Sequence, residues 1–78
     1  MQHEIKIEGS DPGEEVEVVE INFEVGAKVS AGDALMEVAS DKANMDLLSP
    51  VDGTLTELKV SQFEVVAADS VFAVVTDE

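Results

Sequence analysis

Apolar and polar residues alternate along this chain far more than they recur at helical spacing. Ile5 and Ile7 flank Lys6, and Val16-Glu17-Val18-Val19-Glu20-Ile21-Asn22-Phe23 reads as a strand whose alternation slips at Val18-Val19. Leu35-Met36-Glu37-Val38 and Leu47-Leu48 form two more short strands. Leu55, Leu58 and Val60 mark another, and Val71-Phe72-Ala73-Val74-Val75 the last. Turn-forming residues separate them: Gly9-Ser10-Asp11-Pro12-Gly13, Gly26, Gly32-Asp33, Pro50-Val51-Asp52-Gly53 and Asp69-Ser70. Short strands punctuated in this way predict an all-β domain, a sandwich or flattened barrel.

An internal echo points to two similar halves. An offset of 36 lays Val29 on Val65, Asp33 on Asp69, Leu35 on Val71 and Val38 on Val74. The same offset puts Gln62 where the first half has Gly26 and Ala68 where it has Gly32. Neither replacement enters a left-handed turn as readily as glycine, so the second half is expected to turn differently. Ser40-Asp41-Lys42-Ala43-Asn44 falls between two strands near the middle of the chain and has the composition of a polar hairpin tip. Such a tip holds a side chain away from the core, where another enzyme can reach it.

Seventy-eight residues allow one domain with a modest core, taken here as residues 1–78, and 45% hydrophobic content is enough to fold it. There is no cysteine, which removes disulfides and thiolate metal sites. Eighteen acidic residues against four lysines and no arginine leave a formal net charge of −14. Nucleic acid and anionic lipid would be repelled, so a basic protein surface is the natural electrostatic partner.

Catalytic chemistry is thinly represented. The single histidine, His3, is near a terminus, where a solvated side chain is the ordinary outcome. Among so many acids, no carboxylate pairing is informative. The Asp11-to-Glu15 cluster lacks the alternating ligand spacing of an EF-hand loop and reads as a solvated acidic turn. No phosphate-cradling glycine loop is present. These features predict a domain that is not itself an enzyme. The lysines are informative because they are few. Lys6 and Lys59 alternate with apolar neighbours and suit outward strand positions, where lysine blunts exposed edges, and Lys28 sits beside a turn. Lys42 alone occupies the expected hairpin tip. It is either a solvated turn lysine or a primary amine displayed to carry a covalently attached group.

The stretch Ser40-Asp41-Lys42-Ala43-Asn44-Met45-Asp46 resembles the lipoyl-lysine motif of the lipoyl domains of 2-oxo acid dehydrogenase complexes. The likeness extends through Val18–Leu35 before it and Ser49–Val60 after it, covering about Ile5 to Val75. The resemblance implies a flattened barrel of two four-stranded antiparallel sheets with quasi-two-fold symmetry and Lys42 at an exposed tip. It implies lipoate as cofactor, joined to Lys42 Nζ as an amide by a lipoate ligase or lipoyl transferase, taking the formal charge to −15. The arm would serve a thiamine diphosphate-dependent dehydrogenase, the acyltransferase core and dihydrolipoyl dehydrogenase. Asp41, Ala43 and Asp46 would then be the residues read by the ligase or partner. A monomeric domain of a larger dihydrolipoyl acyltransferase is implied, in bacterial or archaeal cytoplasm or in the mitochondrial matrix.

Two segments depart from the family pattern. Ile7 is followed by Glu8-Gly9-Ser10-Asp11-Pro12-Gly13 where the family has a Pro-Asp-Leu/Ile-Gly phrase, in a loop that in this fold helps partners discriminate. Ser61-Gln62-Phe63-Glu64 replaces a Val-Gly-Asp phrase, so Phe63 is either core or an exposed apolar contact. Biotinyl carriers share the fold, but they carry Met-Lys-Met at the tip where this chain has Asp41 and Ala43. An unmodified lipoyl-like interaction domain is the remaining reading.

Overall fold

A computed structural model describes residues 1–7, 13–41 and 43–77. Among these residues eight strands account for the regular structure: β1 (Gln2–Ile5), β2 (Glu15–Ile21), β3 (Lys28–Val29), β4 (Ala34–Ala39), β5 (Asn44–Leu48), β6 (Gly53–Leu58), β7 (Val65–Ala67) and β8 (Ala73–Asp77). They form two four-stranded sheets, ordered β1-β8-β6-β3 and β5-β4-β2-β7, with every pairing antiparallel. The all-β, two-sheet expectation holds. The alternation in β2 sends Val16 and Val18 into the core and Glu15, Glu17 and Glu20 outward. The expected slip is a bulge: Val18 pairs Val38, whereas Glu20 pairs Glu37, leaving Val19 as the extra residue. Strands β3 and β7 have two and three residues, too few to show a period in the sequence.

The core lies between the sheets and is centred on Phe72, Leu35, Met36, Leu55, Val18, Val38 and Val75. The one buried polar side chain among the described residues, Ser49, donates from its Oγ to the Val51 carbonyl at 2.7 Å.

The two halves do repeat, but one residue away from the sequence echo. The Gly26 amide donates to the Leu55 carbonyl at 2.7 Å, as the Phe63 amide does to Val18 at 2.6 Å. Leu55 donates to Ala27 as Val18 does to Glu64, both at 2.9 Å. Asn22 donates to Leu35 as Lys59 does to Phe72, and Asp33 donates to Ser30 as Ser70 does to Ala67. In every pair the partners differ by 37 positions. The bulge in β2 between Val18 and Glu20 has its counterpart in β6 between Leu55 and Glu57. Register by 36 is therefore corrected to 37, which matches Leu35 with Phe72 and Val38 with Val75, all buried. An offset of 36 would have matched buried Val29 with Val65, which is 59% exposed. A one-residue slip exchanges the faces of a strand, so only one of the two offsets can bury both copies.

The expectation that the second half turns differently is half overturned. Under the true register Gly26 matches Phe63, and both are left-handed, with φ of +96° and +68°. Phenylalanine has taken a conformation that favours glycine, because the reciprocal bonds across the two-fold hold it there. Gly32, at φ +91°, matches Asp69, and there the halves do differ: among the described residues Phe63 is the only non-glycine with positive φ.

Candidate functional site

Among the described strands, β4 and β5 form the one hairpin between sequence neighbours. Their register pairs Ala39 with Asn44, Val38 with Met45 and Glu37 with Asp46. Beyond Ala39 and Asn44 the hairpin is closed by Ser40 and Ala43. The Ser40 amide donates to the Ala43 carbonyl at 3.0 Å, the Ser40 Oγ donates to the same carbonyl at 3.0 Å, and the Ala43 amide donates back to Ser40 Oγ at 3.3 Å. A serine here can satisfy both amide and carbonyl of its partner, which pins the base of the turn. Only positions 41 and 42 remain between the closing pair. Asp41 and Ala43 are exposed, as is Asp46 on β5. Lys42 itself lies outside the described residues, as do residues 8–12 of the departing loop and Asp11 of the acidic cluster.

The hairpin belongs to the acidic sheet. Strands β5, β4, β2 and β7 carry Glu15, Glu17, Glu20, Glu37 and Asp46 and no lysine. Pairing puts Glu20, Glu37 and Asp46 in one row across β2, β4 and β5. Like charges directly opposite one another destabilise a sheet, and Asn44 answers one of them by donating from Nδ2 to Glu37 Oε2 at 2.9 Å. The strands of the other sheet carry Glu4, Glu57 and Asp77 against Lys28. Two lysines flank them: Lys6, just past β1, lies 3.6 Å from Glu4, and Lys59, just past β6, lies 3.0 Å from Glu57. Lys6, Lys28 and Lys59 are exposed, as expected. Beside the hairpin, Glu14, Glu15, Glu17, Ser40, Asp41 and Val65 line a shallow open groove of about 500 Å³. It has the sign and shape to receive a basic side of a partner, and it is too open to enclose a substrate.

Asp41, Ala43 and Asp46 are thus all displayed on or next to one hairpin, Asp46 in the carboxylate row and Asp41 at the groove. The parts that sequence reasoning missed are the double role of Ser40 and the alignment of Glu20 and Glu37 with Asp46. The first had a signal in the serine three positions before Ala43. The second depends on the β2–β4 pairing and had none. His3 accepts no catalytic geometry. Its Nε2 pairs with Asp77 Oδ2 at 2.9 Å at the far strand pair β1–β8. That contact and the chain's amino group hold the Asp77 carboxyl below its usual value.

Over residues 5–75 the chain matches the model of the Biotin_lipoyl family, described as Biotin-requiring enzyme. Among curated proteins it is 45% identical over 49 residues to the dihydrolipoyllysine-residue acetyltransferase component of the pyruvate dehydrogenase complex of Acholeplasma laidlawii, covering 63% of this chain and 9% of that protein. The component of the same name from Cupriavidus necator is 37% identical over 57 residues, covering 73% and 10%. That from Buchnera aphidicola subsp. Schizaphis graminum is 33% identical over 61 residues, covering 78% and 15%. The chain therefore spans between about a tenth and a seventh of the length of these relatives. The crystal structure of Kluyveromyces lactis urea carboxylase superposes with a TM-score of 0.81 at 18% identity, over 97% of this chain and 6% of that one, a likeness of fold. Since the family model matches the chain from the end of β1 into β8, across the hairpin between β4 and β5, this chain belongs to the Biotin_lipoyl family.

Proposed function

We propose that this chain is a lipoyl carrier domain of the pyruvate dehydrogenase type, with lipoate amide-linked to Lys42. The observation that carries the reading is the closed hairpin: Ser40 and Ala43 pin its base with only positions 41 and 42 between them, and Asp41 and Ala43 are exposed. The fit to the cofactor is judged on these neighbours. The tip needs no enclosing cavity, Asp41 and Ala43 are exposed where a ligase would approach, and the Ser40–Ala43 closure fixes the base of the hairpin. The acetyltransferase relatives support lipoate over biotin, as do Asp41 and Ala43 at positions where biotinyl carriers hold methionine.

When attached, lipoate supplies a redox-active disulfide on a long arm, able to accept an acyl group together with two electrons. The chain's own residues perform no bond-making step. Ser40 and Ala43 orient the arm's root, and β4 and β5 transmit that orientation from the core. The row Glu20–Glu37–Asp46 and the groove acids meet basic rims of a ligase or of the complex's enzymes. Tethering holds the arm at an effective concentration on the order of millimolar near each active site. Opposite charge speeds encounter within a screening length of about 8 Å at physiological salt. The partners are a lipoate ligase or lipoyl transferase, the thiamine diphosphate-dependent dehydrogenase, the acyltransferase core and dihydrolipoyl dehydrogenase, in the cytoplasm.

Intact-mass measurement after incubation with lipoate ligase, ATP and lipoate tests the proposal. One lipoyl group should add to the parent chain and none to Lys42→Ala, while a parallel biotin-ligase reaction leaves the mass unchanged. Asp41→Lys should accept lipoate more slowly without unfolding. A folded parent that stays unmodified would overturn the carrier reading in favour of an unmodified interaction domain.

A further inference from the structure

We propose that the outer edge of β7 is a docking edge for an extended, lysine- or arginine-bearing segment of another protein, which adds to the acidic sheet as a fifth strand. The inference stands on this edge alone and does not depend on what Lys42 carries.

Among the described residues β7 ends its sheet, pairing only with β2. Phe63 and Glu64 bond Val18, and the Ala68 amide bonds the Glu14 carbonyl. By the alternation of an antiparallel ladder, the backbone groups of Val65 and Ala67 point away from β2. The Ala67 carbonyl accepts from Ser70 at 3.1 Å. Among the described residues nothing takes up the Val65 amide and carbonyl or the Ala67 amide, and both side chains are exposed. A short row of free donors and acceptors therefore borders solvent.

The two-fold supplies a control within the same molecule. The counterpart of β7 is β3, at the end of the other sheet, and the counterpart of Val65 is Lys28. Lysine at an outward edge position is a usual means of discouraging another strand from pairing. At β7 that guard is missing. Valine stands in its place, 59% exposed, and two residues earlier Phe63 is 68% exposed. Phe63 is also held left-handed where its counterpart is a glycine. A large apolar side chain kept both strained and in water is the kind of local cost that accompanies a binding role.

Charge selects the occupant. Val65 is paired in register with Glu17 and Ala67 with Glu15, so an added strand would run beside exposed carboxylates. A second copy of this chain would bring another −14 to the same edge. A strand whose outward face carries apolar and cationic residues in turn answers both features: its backbone meets Val65 and Ala67, an apolar side chain covers Val65, and cations on the same face reach Glu15 and Glu17. Val65 also borders the groove that leads to Asp41, so a partner seated here is directed towards the hairpin tip.

The probe is a ten-residue peptide repeating Lys-Thr-Val-Thr, which places lysine and valine in turn on one face of a strand, followed by amide NMR on the full chain. Binding should move the Val65 and Ala67 amides and slow their hydrogen exchange at least tenfold. The same peptide N-methylated at every residue keeps the charge but loses the backbone donors of both edges, and should bind at least tenfold more weakly. Val65→Lys, which copies β3, should weaken binding by a similar factor and leave thermal unfolding unchanged. Equal binding of the methylated peptide would overturn the proposal, since charge alone would then suffice. So would shifts confined to Glu20, Glu37 and Asp46, or self-association of the free chain through this edge.

Discussion

At Gly26 the chain turns with φ +96° and hands its amide to Leu55; at Phe63 it turns with φ +68° and hands its amide to Val18. The hydrogen bonds are the same, so the backbone path is dictated by the two-fold ladder and not by the residue at the corner. One copy follows the path with the residue suited to it. The other follows it at a cost of about 1–2 kcal/mol in left-handed strain, with an aromatic ring in solvent. The halves thus share a skeleton and differ in what they present: the first half's edge is guarded by Lys28, and the second half's edge is apolar.

The widest break in this comparison should come from the shared core. Leu35→Ala and Phe72→Ala empty matched positions that are 1% and 0% exposed, and should lower urea unfolding stability by about 2–5 and about 3–5 kcal/mol. A much smaller loss in one half would mean that the two-fold does not extend to energetics. Next comes a place where the halves cannot be made alike. Gly53 is the counterpart of Val16, but a Cβ there would overlap the Thr76 carbonyl. Gly53→Val should cost about 3 kcal/mol through backbone displacement, read as a lower urea midpoint. The turns themselves are sharper and smaller. Phe63→Gly should gain up to about 1 kcal/mol, strain relief less glycine's entropy, whereas Gly26→Phe should lose about 1–2 kcal/mol. If both substitutions moved the melting temperature in the same direction, strain would not be what separates the turns.

The smallest effect concerns the pair matched with Ser40. Ser40 closes the hairpin; its counterpart Asp77 closes β1–β8 by bonding His3 and the chain's amino group. Those bonds lower the Asp77 pKa, the His3 hydrogen bond contributing most. A carboxyl lowered on folding adds stability that is complete above its ordinary value and fades as pH falls through the lowered one. Asp77→Asn should therefore be less stable than the parent near neutrality, with the gap in urea midpoint closing below about pH 4. A gap that stayed constant down to about pH 2 would remove the ionised carboxylate from the account.

Much of this was legible in the chain. The alternation of Val16, Val18 and Glu17 gave β2 its faces, and the Val18-Val19 slip gave its bulge. The register of the repeat was not, because Val65-Val66 and Val74-Val75 are doubled and fit either offset equally well. Burial breaks that tie, and burial is a property of the assembled sheets. The hairpin tip could be read from its polar residues between strands. The carboxylate row could not, since Glu20 meets Glu37 only through pairing across distant segments. Nor could the open edge at Val65, which depends on β7 being last in its sheet.

The hairpin between β4 and β5 has a consequence for how the molecule assembles. Every other pairing of the described strands skips at least one intervening strand, so it closes a longer loop than this hairpin does. The β4–β5 ladder closes over only a few residues and can form in microseconds on its own. The tip that a modifying enzyme would reach is therefore the first ladder available to a folding chain. The sheet beneath it, which holds the acids and the open edge, comes later, so a partner that reads both the tip and the sheet can tell a finished domain from a nascent one.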